Sequence, residues 1–378
     1  MHRRLLCRLL MAIVVVPLAT LTPAAPSWGS ISERPNARYS LNGTVYAITS
    51  TPDRVYIGGN FTRLRSLDSG RVYKRVRLAA FDRSTGRLLG WSPSANGVVR
   101  ALDTSPNGVV FVGGAFTSLN AESRPYAGAV SPGGDLTAWN PRPDAMLKDV
   151  LVDGGEVYLA GRFSRVGSAS RLGLARVSST TGALDWRFTA NTTGGRPSSM
   201  VLTTDGLSLV LGGTFKAINS ASRTYLGSVS TNKGQVTSWR PEPVCGGCIV
   251  MDVAIDRSGS AYAATAGRGG HAAKYSLSAN GSLWTLKGDG DMQAIAYRDG
   301  VVYIGGHFGP WFSGSRRDQL AAVTASGGKL LPWNPKLGGP DHPGVWALSV
   351  APHGVRVGGG FTSVGGRPPA HYAVFPSG

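Results

Sequence analysis

The stretch VYIGGNFT (Val55–Thr62) decides the fold, because the chain keeps returning to it. It reads VVFVGGAFT at Val109–Thr117, YLAGRF at Tyr158–Phe163, VLGGTF at Val210–Phe215, VYIGGHF at Val302–Phe308 and VGGGFT at Val357–Thr362. Each copy sits inside a unit of roughly 50 residues holding four short β-prone runs separated by turn residues. In the second unit, VVRAL (Val98–Leu102) precedes the turn SPNG and VVFVGG follows; a polar loop then leads to YAGAV, and the turn SPGGD leads to LTAW. The first run occurs seven times, near Val45, Val98, Val150, Met200, Met251, Ile295 and Trp346. The third also occurs seven times, ending near Phe81, Val130, Val177, Val229, Tyr275, Val323 and Val374. The GGxF element occurs six times; YAATAGRGG (Tyr262–Gly270) keeps strand and glycines but lacks the Phe.

A tryptophan closes six units, as Trp91, Trp139, Trp186, Trp239, Trp284 and Trp333, and the chain stops one strand short of a seventh. The missing strand is expected at the other end, where ARYSLNG (Ala37–Gly43) aligns with GWSPSANG (Gly90–Gly97). An N-terminal strand that completes the last unit closes a ring and hides two sheet edges. The expectation is therefore all-β: a seven-bladed β-propeller, four antiparallel strands per blade, with Ala37–Ser40 beside Tyr372–Phe375. The glycine pair then ends the second strand where neighbouring blades approach too closely for side chains. The Phe and Trp read as packing between blades, with sugar stacking as the alternative for the indoles.

The pattern GGxFTxLxxxxRxxLAAFDxxTGxLxxW resembles the delta-sixty β-propeller repeat of secreted actinobacterial proteins, over nearly all of the chain beyond its leader. The resemblance implies a propeller with an extracellular binding role. AAFDRSTGRLLGW also looks like the repeat of quinone-cofactor dehydrogenases. Trp91 lies one residue late and the adjacent-cysteine pair of those enzymes is absent, so the likeness reads as blade geometry, and no cofactor is expected.

Residues 1–29 read as a signal peptide: basic MHRRLLCR, the apolar run LLMAIVVVPLA and small residues around TPAAPS. Residues 30–378 then form one propeller domain, exported, extracellular and monomeric, with no transmembrane segment. Formal charge is +18, and about +15 remains if cleavage falls near residue 27. Such a surplus favours an acidic glycan or cell-wall polymer; no feature points to a specific nucleic acid. Gly is 53 of 378 residues, about twice ordinary usage, as tight β-turns require.

Three groups of residues are candidates for chemistry. Six residues before the end of the third run stands a basic residue, Arg75, Arg124, Arg171, Arg223, Arg268 and Arg317, with Arg367 close to register. These guanidinium groups either bind carboxylate or phosphate bidentately or cap loop carbonyls; their presence in every unit favours capping. The sixth unit departs from the template with HFGPWFSGSRR, which adds His307, Trp311, Phe312 and Arg316 beside Arg317. Loops between blades bring Asp289 and Asp291 in KGDGD, and Asp341 with His342 in LGGPDHPG. An aromatic pair for a sugar ring, an imidazole for proton transfer and arginines for an acidic group make a coherent site. Third, Cys245 and Cys248 in PVCGGCIV lead into a strand and not a helix. They read as a disulfide staple, with reactive thiols as the alternative and no metal expected.

GxSxG, HExxH, P-loop and calcium-loop patterns are absent. Two function classes lead. One is a non-catalytic binding module for extracellular glycan or polyanion. The other is a lyase or hydrolase acting on acidic polysaccharide, with His307, His342 and Asp341 as the catalytic groups and arginine as carboxylate clamp. A protein-binding scaffold at the cell surface is the third.

Overall fold

The computed structural model describes residues 31–267, 269–339 and 344–377. The expected leader, Arg268 and the pair Asp341–His342 lie outside the described residues. Every element among the described residues is a strand, and no helix is long and apolar enough to cross a membrane. Seven sheets follow one another along the chain, each with a first strand paired to a second and the second to a third, all antiparallel. The first strands are Val45–Ser50, Val99–Thr104, Leu147–Asp153, Pro197–Leu202, Ile249–Ile255, Met292–Arg298 and Val345–Ala351. Each touches the next in order, and the last touches the first.

The repeated glycine explains how sheets come this close. A Cβ built on Gly58 would lie 2.4 Å from a methyl of Val99 in the next first strand. The same clash meets Gly113 at Val150, Gly212 at Val250 and Gly305 at Val345. It recurs across the junction of last and first sheets, where Gly358 would meet Val45 at 2.6 Å. The Phe after each glycine pair, Phe61, Phe116, Phe163, Phe215, Phe308 and Phe361, is fully buried. The apolar core therefore lies between consecutive sheets, as in the cluster that joins Tyr56 and Leu78 of the first sheet to Val99 and Val112 of the second.

Only the fifth sheet has the expected full fourth strand, Ser282–Lys287. In five others the fourth position is a single bridge: Phe81 with Leu88, Val130 with Leu136, Val177 with Leu184, Val229 with Val236 and Val323 with Leu330. After the bridge the chain carries an aromatic ring. Trp91 packs edge-on against Tyr56 of its own sheet at 4.9 Å while its indole N–H donates to the Ser131 carbonyl of the next sheet at 3.0 Å. Trp139, Trp239, Trp284 and Trp333 donate in the same way to Ser178, Ser276, Ala325 and Ser32. Trp186 does not. It is 67% exposed, and Phe188 takes the packing place instead, 5.5 Å from Tyr158.

The N-terminal segment bonds to the last sheet, with earlier residues than expected. Leu89, Thr137, Asp185, Thr237 and Leu331 each donate a backbone N–H to the middle residue of the third strand. In the last sheet Asn36 makes that bond, to the Val374 carbonyl at 2.7 Å, and Ser32 adds one to Pro376 at 2.8 Å. Ala37–Ser40 is expected beside Tyr372–Phe375; Tyr39–Leu41 pairs instead with Arg63–Ser66.

Candidate functional site

The arginine series is scaffold. Arg317, 9% exposed, donates to the carbonyls of Arg316 at 2.8 Å and Leu331 at 2.7 Å. Arg124 bonds Ser123 and Thr137, and Arg75 bonds Lys74 and Leu89. Arg223 holds Ser222, Thr237 and Trp239. Each of these four guanidinium groups spans from the outer hairpin to the fourth segment of its own sheet and satisfies carbonyls there; Arg171 bonds only the Ser170 carbonyl and lies 5.4 Å from the Trp186 ring centre.

The sixth-sheet loop separates its candidates. Trp311 and Phe312 are neighbours on a two-residue strand, so their side chains face opposite ways. Trp311 is 56% exposed, whereas Phe312 is fully buried against Phe308 at 5.2 Å. Phe312, expected as half of a stacking pair, is therefore core. Arg316 pairs across the hairpin with Trp311 and lies 3.8 Å from Asp318 at the surface. Asp289 accepts the backbone N–H of Gly309 at 2.8 Å and of Trp311 at 3.0 Å. Asn42, Asn96 and Asp144 bind the corresponding loops of the first three sheets in the same way, so Asp289 plays a repeated loop-holding part. Asp291 reaches the fifth sheet through the Gly267 N–H at 2.9 Å. His307 is exposed at the end of its second strand, and its backbone N–H bonds Asp291 at 2.7 Å.

Cys245 and Cys248 form a disulfide with Cα atoms 5.5 Å apart, inside the ordinary range. The histidine His271 lies beside it, Nδ1 3.9 Å from the Cys248 sulfur; sequence spacing gave no sign of that neighbour.

The most chemically varied place is the channel along which the first strands meet. Every first strand carries a bulge near its start, where pairing skips one residue. The skipped residues are Tyr46, Arg100, Lys148, Ser198, Met251, Gln293 and Trp346, and all seven line a cavity of about 330 Å³. A bulge leaves a residue unpaired and re-aims its side chain, here into the channel. Because Val45 pairs with Gly59, this mouth opens at the same end of the sheets as the outer hairpins. The Arg100 guanidinium lies 4.1 Å from the Tyr46 ring centre, and Tyr46 meets Trp346 edge-on at 5.6 Å. Burial, then the charges of Arg100 and Arg162, push the Lys148 ammonium down to about 8. Gln293, 8% exposed, leaves its Oε1 without a hydrogen bond.

Below the mouth, carboxylates tie the first strands together. Asp103 accepts the Val152 N–H at 2.7 Å, Asp149 that of Met200 at 2.8 Å and Asp252 that of Ile295 at 2.9 Å. Ser199 adds a hydroxyl bond to Asp252 at 2.7 Å. Burial, assisted by Asp252 and Asp103, raises the Asp149 carboxyl to about 8. These groups escaped the sequence reading because each unit has a different residue at the position. The signal available was that variation itself, in the second residue of an otherwise uniform strand.

No protein-family model and no curated protein matches the chain. Among solved structures, the WD40 β-propeller domain of Doa1 superposes with a TM-score of 0.57 at 11% identity, covering 89% of this chain and 96% of that one. The computationally designed protein Ika8 gives 0.54 at 13% identity, covering 89% and 98%. At such identities the likeness concerns the fold alone: the chain is a β-propeller.

Proposed function

We propose that the protein is an exported, monomeric, seven-bladed propeller of the delta-sixty type, closed into a ring by its N-terminal segment. On this reading it is a non-catalytic binding module for an acidic extracellular glycan or cell-wall polymer, held at the channel mouth. Closure is supported by the Gly358–Val45 approach and by Asn36 in the register of the missing fourth strand.

The observation that carries the binding role is that Arg100 and Lys148 line the same cavity mouth as Tyr46 and Trp346, where burial first and then the charges of Arg100 and Arg162 weaken protonation of Lys148. Among the described residues none of the three forms an ion pair. An acidic polymer relieves that repulsion, and Tyr46 and Trp346 beside it offer ring faces to a sugar. Trp311 with Arg316 extends the same chemistry over the outer rim. A lyase would instead need a guanidinium open to substrate at Arg317, which is 9% exposed and donates from Nη1 and Nη2 to backbone carbonyls.

Calorimetric titration with polygalacturonate, and with dextran as neutral control, tests the reading. Binding of the acidic polymer should weaken with salt. In an Arg100→Ala, Lys148→Ala double variant it should weaken about tenfold or more, the size of one lost charge-assisted contact. Equal affinity for dextran, or an unchanged affinity in the variant, sinks the proposal. Release of unsaturated product from polygalacturonate would establish the lyase in its place.

A further inference from the structure

The second-strand residue paired with Ala80, Ala129, Arg176, Ser228, Lys274 or Ala322 of the third strand is Tyr56, Phe111, Tyr158, Val210, Tyr262 and Tyr303 in the first six sheets. Five of these are aromatic, and each packs against the ring that closes its sheet. In the last sheet the position holds Arg356, only 4% exposed. A guanidinium there replaces an apolar ring at the one junction where the two ends of the chain meet.

Arg356 has no ion-pair partner among the described residues, and its Nη1 is buried without a hydrogen bond. A buried unpaired charge is costly and is retained only where something compensates it. It lines a cavity of about 430 Å³ between the last and first sheets, shared with Arg38, Arg83, Ser84, Thr85 and His353. The carboxylate that also lines it, Asp82, has one oxygen bound by the N–H and hydroxyl groups of Ser84 and Thr85. Asp68 stands 3.5 Å from Arg38 at the surface, and Arg83 reaches only the Thr51 carbonyl. Burial disfavours protonated Arg356, Tyr372 opposes that through its hydroxyl, and the Arg83 charge adds to burial. Three guanidinium groups thus converge from three parts of the chain with too little negative charge to match them.

We propose that this cavity binds a phosphate or sulfate group, and that the bound anion latches the last sheet to the first. Planar guanidinium forks suit a tetrahedral oxyanion. The site lies at the opposite end of the sheets from the channel mouth, because His353 and Ser84–Thr85 occupy turns after the first and third strands. It is therefore separate from the polymer site proposed above.

Thermal unfolding with added inorganic phosphate or sulfate, against sodium chloride of equal ionic strength, tests it. Wild-type protein should show a Tm rise that saturates with anion, as ligand linkage requires. Arg356→Tyr, which restores the residue of four other sheets, should fold and lose the saturable rise while keeping polymer binding. Arg83→Gln should raise the half-saturating concentration about tenfold. If Arg356→Tyr does not fold, phosphorus NMR line broadening of phosphate by wild type and by Arg83→Gln gives the same contrast. A wild-type response no larger than that to chloride, or an undiminished saturable rise in Arg356→Tyr, overturns the proposal.

Discussion

Two series of residues recur along this chain, one nearly uniform and one that never repeats itself. The uniform one is the arginine series, of which Arg75, Arg124, Arg223 and Arg317 hold carbonyls of their own sheets. The other is the set of bulge residues at the channel mouth, Tyr46, Arg100, Lys148, Ser198, Met251, Gln293 and Trp346. A position that every blade must satisfy identically is dictated by the repeat's own geometry. A position that geometry leaves open is free to vary, and an asymmetric ligand can be recognised only by varied residues. In a repeat protein, then, uniform polar residues point to scaffold and variation at one register position points to function.

The comparison can be broken first at the scaffold. Deleting residues 31–44 removes the bonds from Asn36 and Ser32 to the last third strand and leaves Trp333 without its Ser32 acceptor. The expected loss is about 5 kcal/mol or more, read as loss of a cooperative urea transition. Next comes Arg223→Ala, which strands three carbonyls. It should cost about 3 kcal/mol in denaturant unfolding, with no specific effect on polymer affinity.

The varied series and the carboxylates below it predict a particular pH dependence. Asp149 is raised from 3.8 to about 8, so the stability its protonated form confers is complete below the unfolded value and is lost as pH rises toward 8. Lys148 is lowered from 10.5 to about 8, so its contribution is complete at high pH and is lost as pH falls toward 8. The two windows meet, and stability should pass through a minimum near pH 8. Urea midpoints at pH 5, 8 and 10 would show it. Asp149→Asn should make the acid side shallower, leaving the part due to Asp103 and Asp252, which burial also raises, and Lys148→Met should flatten the alkaline side alone. The smallest expected effect is that of Trp311→Ala, whose ring is mostly exposed. Stability should change by less than about 0.5 kcal/mol, with polymer binding weakened and its salt dependence unchanged.

Most of the fold was legible because the repeat states it seven times. The glycine pairs, the buried Phe and five indoles all occupy the places that the pattern implies. Two places differ from the expectation. Residue type puts Trp186 among the closing indoles, but one additional residue in that copy hands its place to Phe188. The closing strand is expected at Ala37–Ser40, whereas the bonds to the last third strand come from Asn36 and Ser32. The candidate site was less legible. Residue type alone made Phe312 and Arg317 look functional, since burial and carbonyl partners are properties of the three-dimensional loop. The bulges escaped because an unpaired residue in a strand leaves no mark in composition or period.

The most direct test compares one member of each series in two assays. Arg317→Ala and Lys148→Ala would be measured side by side for urea stability and for polygalacturonate affinity, at a temperature where both are folded. The account predicts that Arg317→Ala loses about 3 kcal/mol of stability and keeps its affinity. Lys148→Ala should keep its stability to within about 1 kcal/mol and lose affinity about tenfold. If instead Arg317→Ala binds more weakly while unfolding normally, and Lys148→Ala binds like wild type, the roles assigned to the two series are contradicted.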